Sequence, residues 1–345
     1  MTRQIHVGGV PIGGGAPVTI QSMTNTPTQD VAATVEQIRR LTAAGCEIVR
    51  VAVPDMATAQ AIGAIRAQIA IPLVVDIHFD YRLALECIAQ GCDAVRINPG
   101  NIGSPDRVAA VAEACKGKHL PIRIGVNGGS LEKPLLAKFG GATPQALVES
   151  AWGHIRLLEE CDFHDICISL KSSSVPVTMR AYELMHQESD YPLHIGVTET
   201  GTPRMGLLKS AIGIGGLLAL GIGDPLRVSL SADPVEEIYA ARDILKAAGI
   251  RREGPELISC PTCGRTRIDL IGLATQVEER LKEVDKPITV AVMGCVVNGP
   301  GEASAADVGI AGGVGEGLLF KKGEIVKKVP QDKLVDELFA LIETL

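Results

Sequence analysis

Aromatic residues are scarce. Phe, Trp and Tyr make up 3% of the 345 residues. Ala, Gly, Val and Ile must therefore fill the interior, which favours close-packed parallel strands and helices over a β-sandwich. There is no excess of positive charge. The formal net charge of -7 argues against a general nucleic-acid binder, since such domains carry a basic face. Long apolar runs are also missing. No window reaches the roughly 18 uninterrupted apolar residues of a membrane span. The opening residues, MTRQIHVGGVPIGGG, lack the apolar stretch of a signal peptide. These absences predict a cytoplasmic protein that engages neither membrane nor nucleic acid. What remains is ordinary: 46% hydrophobic and 21% charged residues suit a large core. The length suggests one large domain and a smaller one.

Nine cysteines without an export signal are expected to be thiols or ligands, not disulfides. Cys46, Cys87, Cys92, Cys115, Cys161 and Cys167 lie in apolar or helical surroundings and read as small core residues. The other three stand apart. Cys260 and Cys263 sit in SCPTCGRT (259–266), and Cys295 opens CVVNGPGE (295–302).

Between Val18 and Ile250, short apolar runs alternate with helical patterns. The runs are VTIQSM (18–23), EIVRVAV (47–53), PLVVDIHF (72–79), AVRINP (94–99), PIRIGVN (121–127), DICISLKS (165–172), LHIGVTE (193–199) and LRVSLS (226–231). Helix-like segments such as 31–45, 143–161 and 233–249 follow them, several opening on an acidic or hydroxyl residue and closing on Gly. Eight strand–helix units predict a (β/α)8 TIM-type barrel over 1–250. A doubly wound sheet is the second choice. The preceding IHVGGVPIGGGAPV has hairpin chemistry and is expected to cap the barrel's bottom. Glycine-rich stretches at 213–216 and 312–317 lack the strand-to-helix context of a dinucleotide fingerprint.

Buried parallel strands normally read as continuous apolar runs. These carry Arg50, Arg96, Arg123, Lys171 and Arg227, with Asp76 and His78 on the third and Glu199 ending the seventh. Asn98, Asn101, Asn127, Ser172 and Ser229 accompany them. An unpaired buried charge is costly, and Asp76 and Glu199 cannot neutralise five cations. Active sites of this fold lie at the C-terminal ends of the strands, and Arg grips phosphate oxygens in bidentate fashion. The barrel is therefore expected to bind a small ligand with more than one phosphate. Glu199 would repel such a ligand, which suggests that it moves protons or holds a substrate hydroxyl.

From 251 to 345 the pattern changes to a small α+β domain. A helix is expected over 265–284, directly behind the cysteine pair, where its dipole would stabilise thiolates. The NGPG turn is expected to return Glu302 toward Cys295. Three thiolates and a carboxylate suit an iron–sulfur cluster better than structural zinc, which prefers Cys and His. A redox dithiol would need neither the third cysteine nor the turn.

The chain resembles the bacterial 4-hydroxy-3-methylbut-2-enyl diphosphate synthase family, in its two-domain form. The resemblance spans nearly the whole chain through QSMTNTPT, RVAVPD, DIHFD, RINPGN, RIGVN, SLKSS, GVTE, SCPTCGR and GCVVNGPGE. It implies a [4Fe–4S] cluster on Cys260, Cys263, Cys295 and, at rest, Glu302, with the carboxylate giving way to substrate. It implies 2-C-methyl-D-erythritol 2,4-cyclodiphosphate as substrate, reduced by two electrons with loss of water. Flavodoxin or ferredoxin is the implied donor. Arg50, Arg96, Arg123, Lys171, Arg227 and Ser229 match diphosphate contacts. Asn127 matches a polar contact and Glu199 a proton donor or hydroxyl partner, and Asp76 and His78 are placed at the pocket. The competing reading is a non-redox barrel enzyme, such as a pterin- or phosphosugar-binding transferase, with a zinc appendage. An RNA-binding or interaction module is disfavoured by the acidic balance.

Chain geometry adds an expectation about assembly. Each barrel helix returns the chain to the bottom, so the linker leaves from the face opposite the site. About eight linker residues reach at most roughly 28 Å, and a last helix of some 17 residues is itself about 25 Å tall. This predicts a head-to-tail homodimer in which each cluster caps the partner's barrel, as the resemblance also implies.

Overall fold

The computed structural model describes residues 1–295 and 303–345. The chain separates into two compact units, Met1–Arg251 and Arg252–Leu345.

The first unit is a barrel. Strands β1 (Ile5–Val7) and β2 (Val10–Ile12) form an antiparallel hairpin. Then come β3 (Thr19–Met23), β4 (Ile48–Ala52), β5 (Leu73–Asp76), β6 (Ala94–Ile97), β7 (Ile122–Asn127), β8 (Ile166–Lys171) and β9 (Pro225–Leu226). These seven run parallel in the order β8-β7-β6-β5-β4-β3-β9. The segment around His194 closes the ring, bridging Ile168 to Leu193 and Ile195 to Leu226. The seventh run expected as a strand is thus present only as two bridges, and the eighth is regular only at Pro225–Leu226. Here the backbones crowd together: a Cβ at Gly196 would lie 2.6 Å from the Arg227 carbonyl. Closure through these bridges leaves no free edge among the described barrel strands.

Helices cover the outside, and their starts follow from side-chain caps. Asp30, Asp55, Asp80, Thr143, Ser174 and Asp233 each accept a backbone N–H of the helix they open. Each such cap contributes about 1 kcal/mol. One apolar cluster fills the space between helices and strands, with Cys87, Cys92 and Cys115 inside it. Burial pushes the Cys46, Cys87 and Cys115 thiols up to about 12, which makes them inert. The hairpin caps the bottom: Ile5, Val7 and Ile12 pack on Ile48, Val74, Ala94 and Cys167.

The second unit carries a five-stranded sheet, β10 (Glu256–Ser259), β11 (Thr289–Met293), β12 (Val308–Gly312), β13 (Glu316–Lys321) and β14 (Glu324–Pro330), in that order. β10, β11 and β12 are parallel, β13 is antiparallel to β12, and β14 is antiparallel to β13. Helices Leu270–Leu281 and Leu334–Glu343 pack on it. No helix among the described residues is long and apolar enough to cross a membrane.

Candidate functional site

Inward positions of the barrel strands bring the expected charges together. Asp76 and Arg96 are register partners on β5 and β6, as are Arg96 and Arg123 on β6 and β7. Arg96 Nη1 donates to Asp76 Oδ1 (3.0 Å) and lies 3.2 Å from His78 Nδ1, and its Nη2 donates to the Gly125 carbonyl (3.2 Å). Arg50 lies 3.7 Å from Asp76 Oδ2 and donates to the Met23 thioether from Nη2 at 2.8 Å. Arg227 is held by Glu237, Nη2 to Oε2 at 3.3 Å. Arg123 donates to Gln21 Oε1 and lies 3.1 Å from His194 Nδ1. Lys171, at the end of β8, is buried and has no hydrogen-bond or ion-pair partner among the described residues.

Five cations thus face two carboxylates, Asp76 and Glu237. Arg123 and Lys171 have no carboxylate partner among the described residues. Burial first, then the surrounding arginines, push the Lys171 amine well below its ordinary pKa. Burial likewise lowers Arg123 to about 10, still far above neutrality, so it stays a cation. Burial alone would raise Asp76, but Arg50 and Arg96 hold its carboxyl below the ordinary value. Such a layer attracts anions because low-dielectric walls focus its field.

Two glycines make room for it. A Cβ at Gly125 would lie 2.4 Å from Arg96 Nε, and one at Gly196 would lie 2.8 Å from Lys171 Nζ. The segments RIGV (123–126) and HIGV (194–197) thus serve the same purpose: each lets the preceding strand's cation lie across its glycine. Gly125→Ala should displace Arg96, destabilise the barrel by about 1–3 kcal/mol and weaken pyrophosphate binding. Thermal melts and titration calorimetry check this; an unchanged melting temperature and affinity would contradict it.

The remaining expected residues sit around this layer. Glu199 is exposed, without a partner among the described residues, and its backbone is left-handed, φ 54°. A carboxylate residue held there is strained, a state that clusters at functional sites. Among the described residues Glu199 pairs with none of the barrel arginines; Arg227 is paired with Glu237 instead. His78 is exposed at the mouth beside Phe79. Asn127 ends β7 half-buried, and Ser229 accepts a hydrogen bond from Thr200 through its carbonyl. Asn98 caps the short helix Pro99–Ile102.

In the second unit, Ser259 of β10 pairs with Val292 of β11. These strands are parallel, so Cys260 and Cys295, which follow them, emerge at the same end of the sheet. The Gly294 N–H donates to Cys260 Sγ at 3.2 Å, and the Arg267 N–H donates to the Gly294 carbonyl at 3.0 Å. Cys263 is exposed. The helix behind the cysteine pair begins only at Leu270, because Asp269 is its cap. The expected dipole effect on the thiols is therefore absent. Hydrogen bonds from the Arg265 backbone and side chain lower the Cys263 pKa instead. Glu302 lies outside the described residues. Among the described residues, no three His, Cys, Asp or Glu side chains stand close enough to hold a single metal ion.

The GcpE TIM-barrel domain matches residues 2–242, and the GcpE C-terminal domain matches residues 256–344. The chain belongs to the GcpE family. Its similar relatives are named 4-hydroxy-3-methylbut-2-en-1-yl diphosphate synthase (flavodoxin). One from Clostridium perfringens is 62% identical over 100% of this chain and 99% of its own length. Another, from Geobacter sulfurreducens, is 60% identical over 99% and 97%. Among solved structures, Yersinia pestis dihydropteroate synthase is 14% identical with a TM-score of 0.53, covering 73% of this chain and all of its own. That likeness concerns the barrel fold alone.

Sequence reasoning missed several partners in the GcpE barrel. Gln21 and Met23 stand at alternate, inward positions of a quoted motif, and that alternation was their signal. His194 was marked only by the repeat of IGV. Glu237 reaches the site from a helix, helix Pro234–Ala247, and no strand pattern could reveal it.

Proposed function

We propose that this chain reduces 2-C-methyl-D-erythritol 2,4-cyclodiphosphate to 4-hydroxy-3-methylbut-2-enyl diphosphate. Two electrons and two protons enter, the ring opens and one water leaves. Family membership and the name shared by its full-length relatives support this reaction. The observation that carries the substrate side is the pair of buried basic residues without carboxylate partners among the described residues, Arg123 and Lys171, beside three arginines that share only two carboxylates.

In this reading Arg123 and Lys171 take the phosphoryl oxygens, with Arg50, Arg96 and Arg227 shaping the anion site. Asp76 and Glu237 hold three arginines in place and keep them from repelling one another. Asn127, Ser229 and His78 line the mouth as polar contacts. Glu199 delivers a proton to the departing oxygen; its exposed carboxylate can exchange protons with solvent.

Cys260, Cys263 and Cys295, with Glu302, would hold a [4Fe–4S] cluster. Their chemistry fits: three thiols carried by one sheet end and its adjoining loop, one accepting an N–H and one acidified by Arg265. A cluster there supplies electrons singly, received from flavodoxin or ferredoxin. Anaerobic purification should give a coloured protein containing iron and sulfide. A colourless protein with zinc alone would overturn the reductase reading in favour of the transferase.

The assembly we infer is a head-to-tail homodimer in which each cluster-bearing unit serves its partner's barrel. The supporting argument is chain length. Residues 248–255 connect helix Pro234–Ala247 to β10, and eight residues reach at most about 28 Å. Mixing Glu199→Gln chains with Cys295→Ser chains should restore part of the wild-type turnover. If each variant stays folded and dimeric yet no activity returns, the shared site is wrong.

A further inference from the structure

Arg123 differs from the other barrel arginines in what holds it. Arg50 and Arg96 share Asp76, and Arg227 has Glu237. Arg123 is held by neutral groups: Nη1 donates to Gln21 Oε1 and to His194 Nδ1, 3.1 Å away. Its Nη2 is buried without a hydrogen-bond partner among the described residues. Gln21, Arg123 and His194 are all more than nine-tenths buried.

The choice of holders has an electrostatic consequence. A carboxylate would fix the guanidinium firmly but cancel its attraction for a bound anion. An amide oxygen and an imidazole nitrogen fix its direction and leave its charge intact. The imidazole can accept only while neutral, since a protonated ring has no lone pair. Burial, then Arg123, Lys171, Arg50 and Arg227, lower the His194 pKa well below its ordinary value, so Nδ1 remains an acceptor. On one side packing does not do the holding. A cavity of about 30 Å³ adjoins Arg123, walled by Gln21, His194, Cys167 and the hairpin residues Ile5 and Ile12. That is room for about one water, so the guanidinium is not wedged from that side.

We propose that Gln21 and His194 are positioning residues that aim an un-neutralised Arg123 at a phosphoryl group of the substrate. The inference rests on the phosphate-binding role proposed above for Arg123.

Three variants of the cluster-loaded protein test it. His194→Phe removes the acceptor and keeps a planar ring. His194→Asn returns an oxygen near the Nδ1 position. Gln21→Glu adds the carboxylate that nature omits here. Expected is a KM raised about tenfold or more in His194→Phe, from a lost hydrogen bond to a charged group, with kcat changed far less. His194→Asn should recover most of the loss. Gln21→Glu should raise KM without lowering the melting temperature. The dissociation constant of inorganic pyrophosphate should follow the same order. A wild-type KM and pyrophosphate affinity in folded His194→Phe and Gln21→Glu would overturn the proposal. If His194→Phe fails to fold, Gln21→Glu decides alone. If the proteins bind pyrophosphate in this order but the wild type never turns over the cyclic diphosphate, the proposed reaction is refuted and the positioning role stands.

Discussion

Arg123→Ala is expected to raise KM by about 100-fold or more and leave the cluster's absorption spectrum unchanged. Hydrogen bonds involving a charged group contribute about 1.5–3 kcal/mol each, and 2.7 kcal/mol corresponds to about 100-fold in affinity. Arg123 suits this size of effect because none of its charge is spoken for. Among the described residues it has no carboxylate partner, and its Nη2 has no partner at all. Its loss would also leave Gln21 Oε1 and His194 Nδ1 facing a hole. Steady-state kinetics with an anaerobic spectrum check the prediction. Loss of the cluster spectrum in this variant would mean that Arg123 serves folding instead of binding.

Cys263→Ser should abolish turnover by removing the cluster, while the barrel still binds pyrophosphate with wild-type affinity. Cys263 is exposed and belongs to no apolar cluster, so its sulfur contributes little to packing. The hydrogen bonds from Arg265 favour a thiolate, the form that ligates iron. The contrasting control is Cys115→Ala. That thiol is buried, with its pKa pushed up to about 12, and its loss should leave iron content unchanged. Iron and sulfide analysis of both variants checks this. A Cys263→Ser protein with full iron content and full activity would remove the cysteine from the proposed ligand set.

The barrel was legible because its strands and helices alternate in the sequence and Asp, Ser and Thr mark the helix starts. The cation layer was legible for a different reason: charges inside parallel strands contradict the local pattern, and such conflicts gather at functional sites. What stayed hidden were contacts set by three-dimensional neighbours. Glu237 comes from a helix, and Met23 looked like an apolar strand residue although its sulfur accepts from Arg50. The seventh and eighth runs read as full strands by composition, yet they pair only through two bridges and at Pro225–Leu226. The helix after SCPTCGRT was placed five residues early: it was expected from 265, but Asp269 caps it and it begins at Leu270. That shift moved the explanation for Cys263 from a dipole to Arg265.

The most direct test supplies the anaerobically purified protein with reduced flavodoxin and 2-C-methyl-D-erythritol 2,4-cyclodiphosphate, and identifies the product by mass spectrometry. The account predicts 4-hydroxy-3-methylbut-2-enyl diphosphate, formed only while electrons are supplied. A protein loaded with iron and sulfide that binds the cyclic diphosphate and returns it unchanged would contradict it.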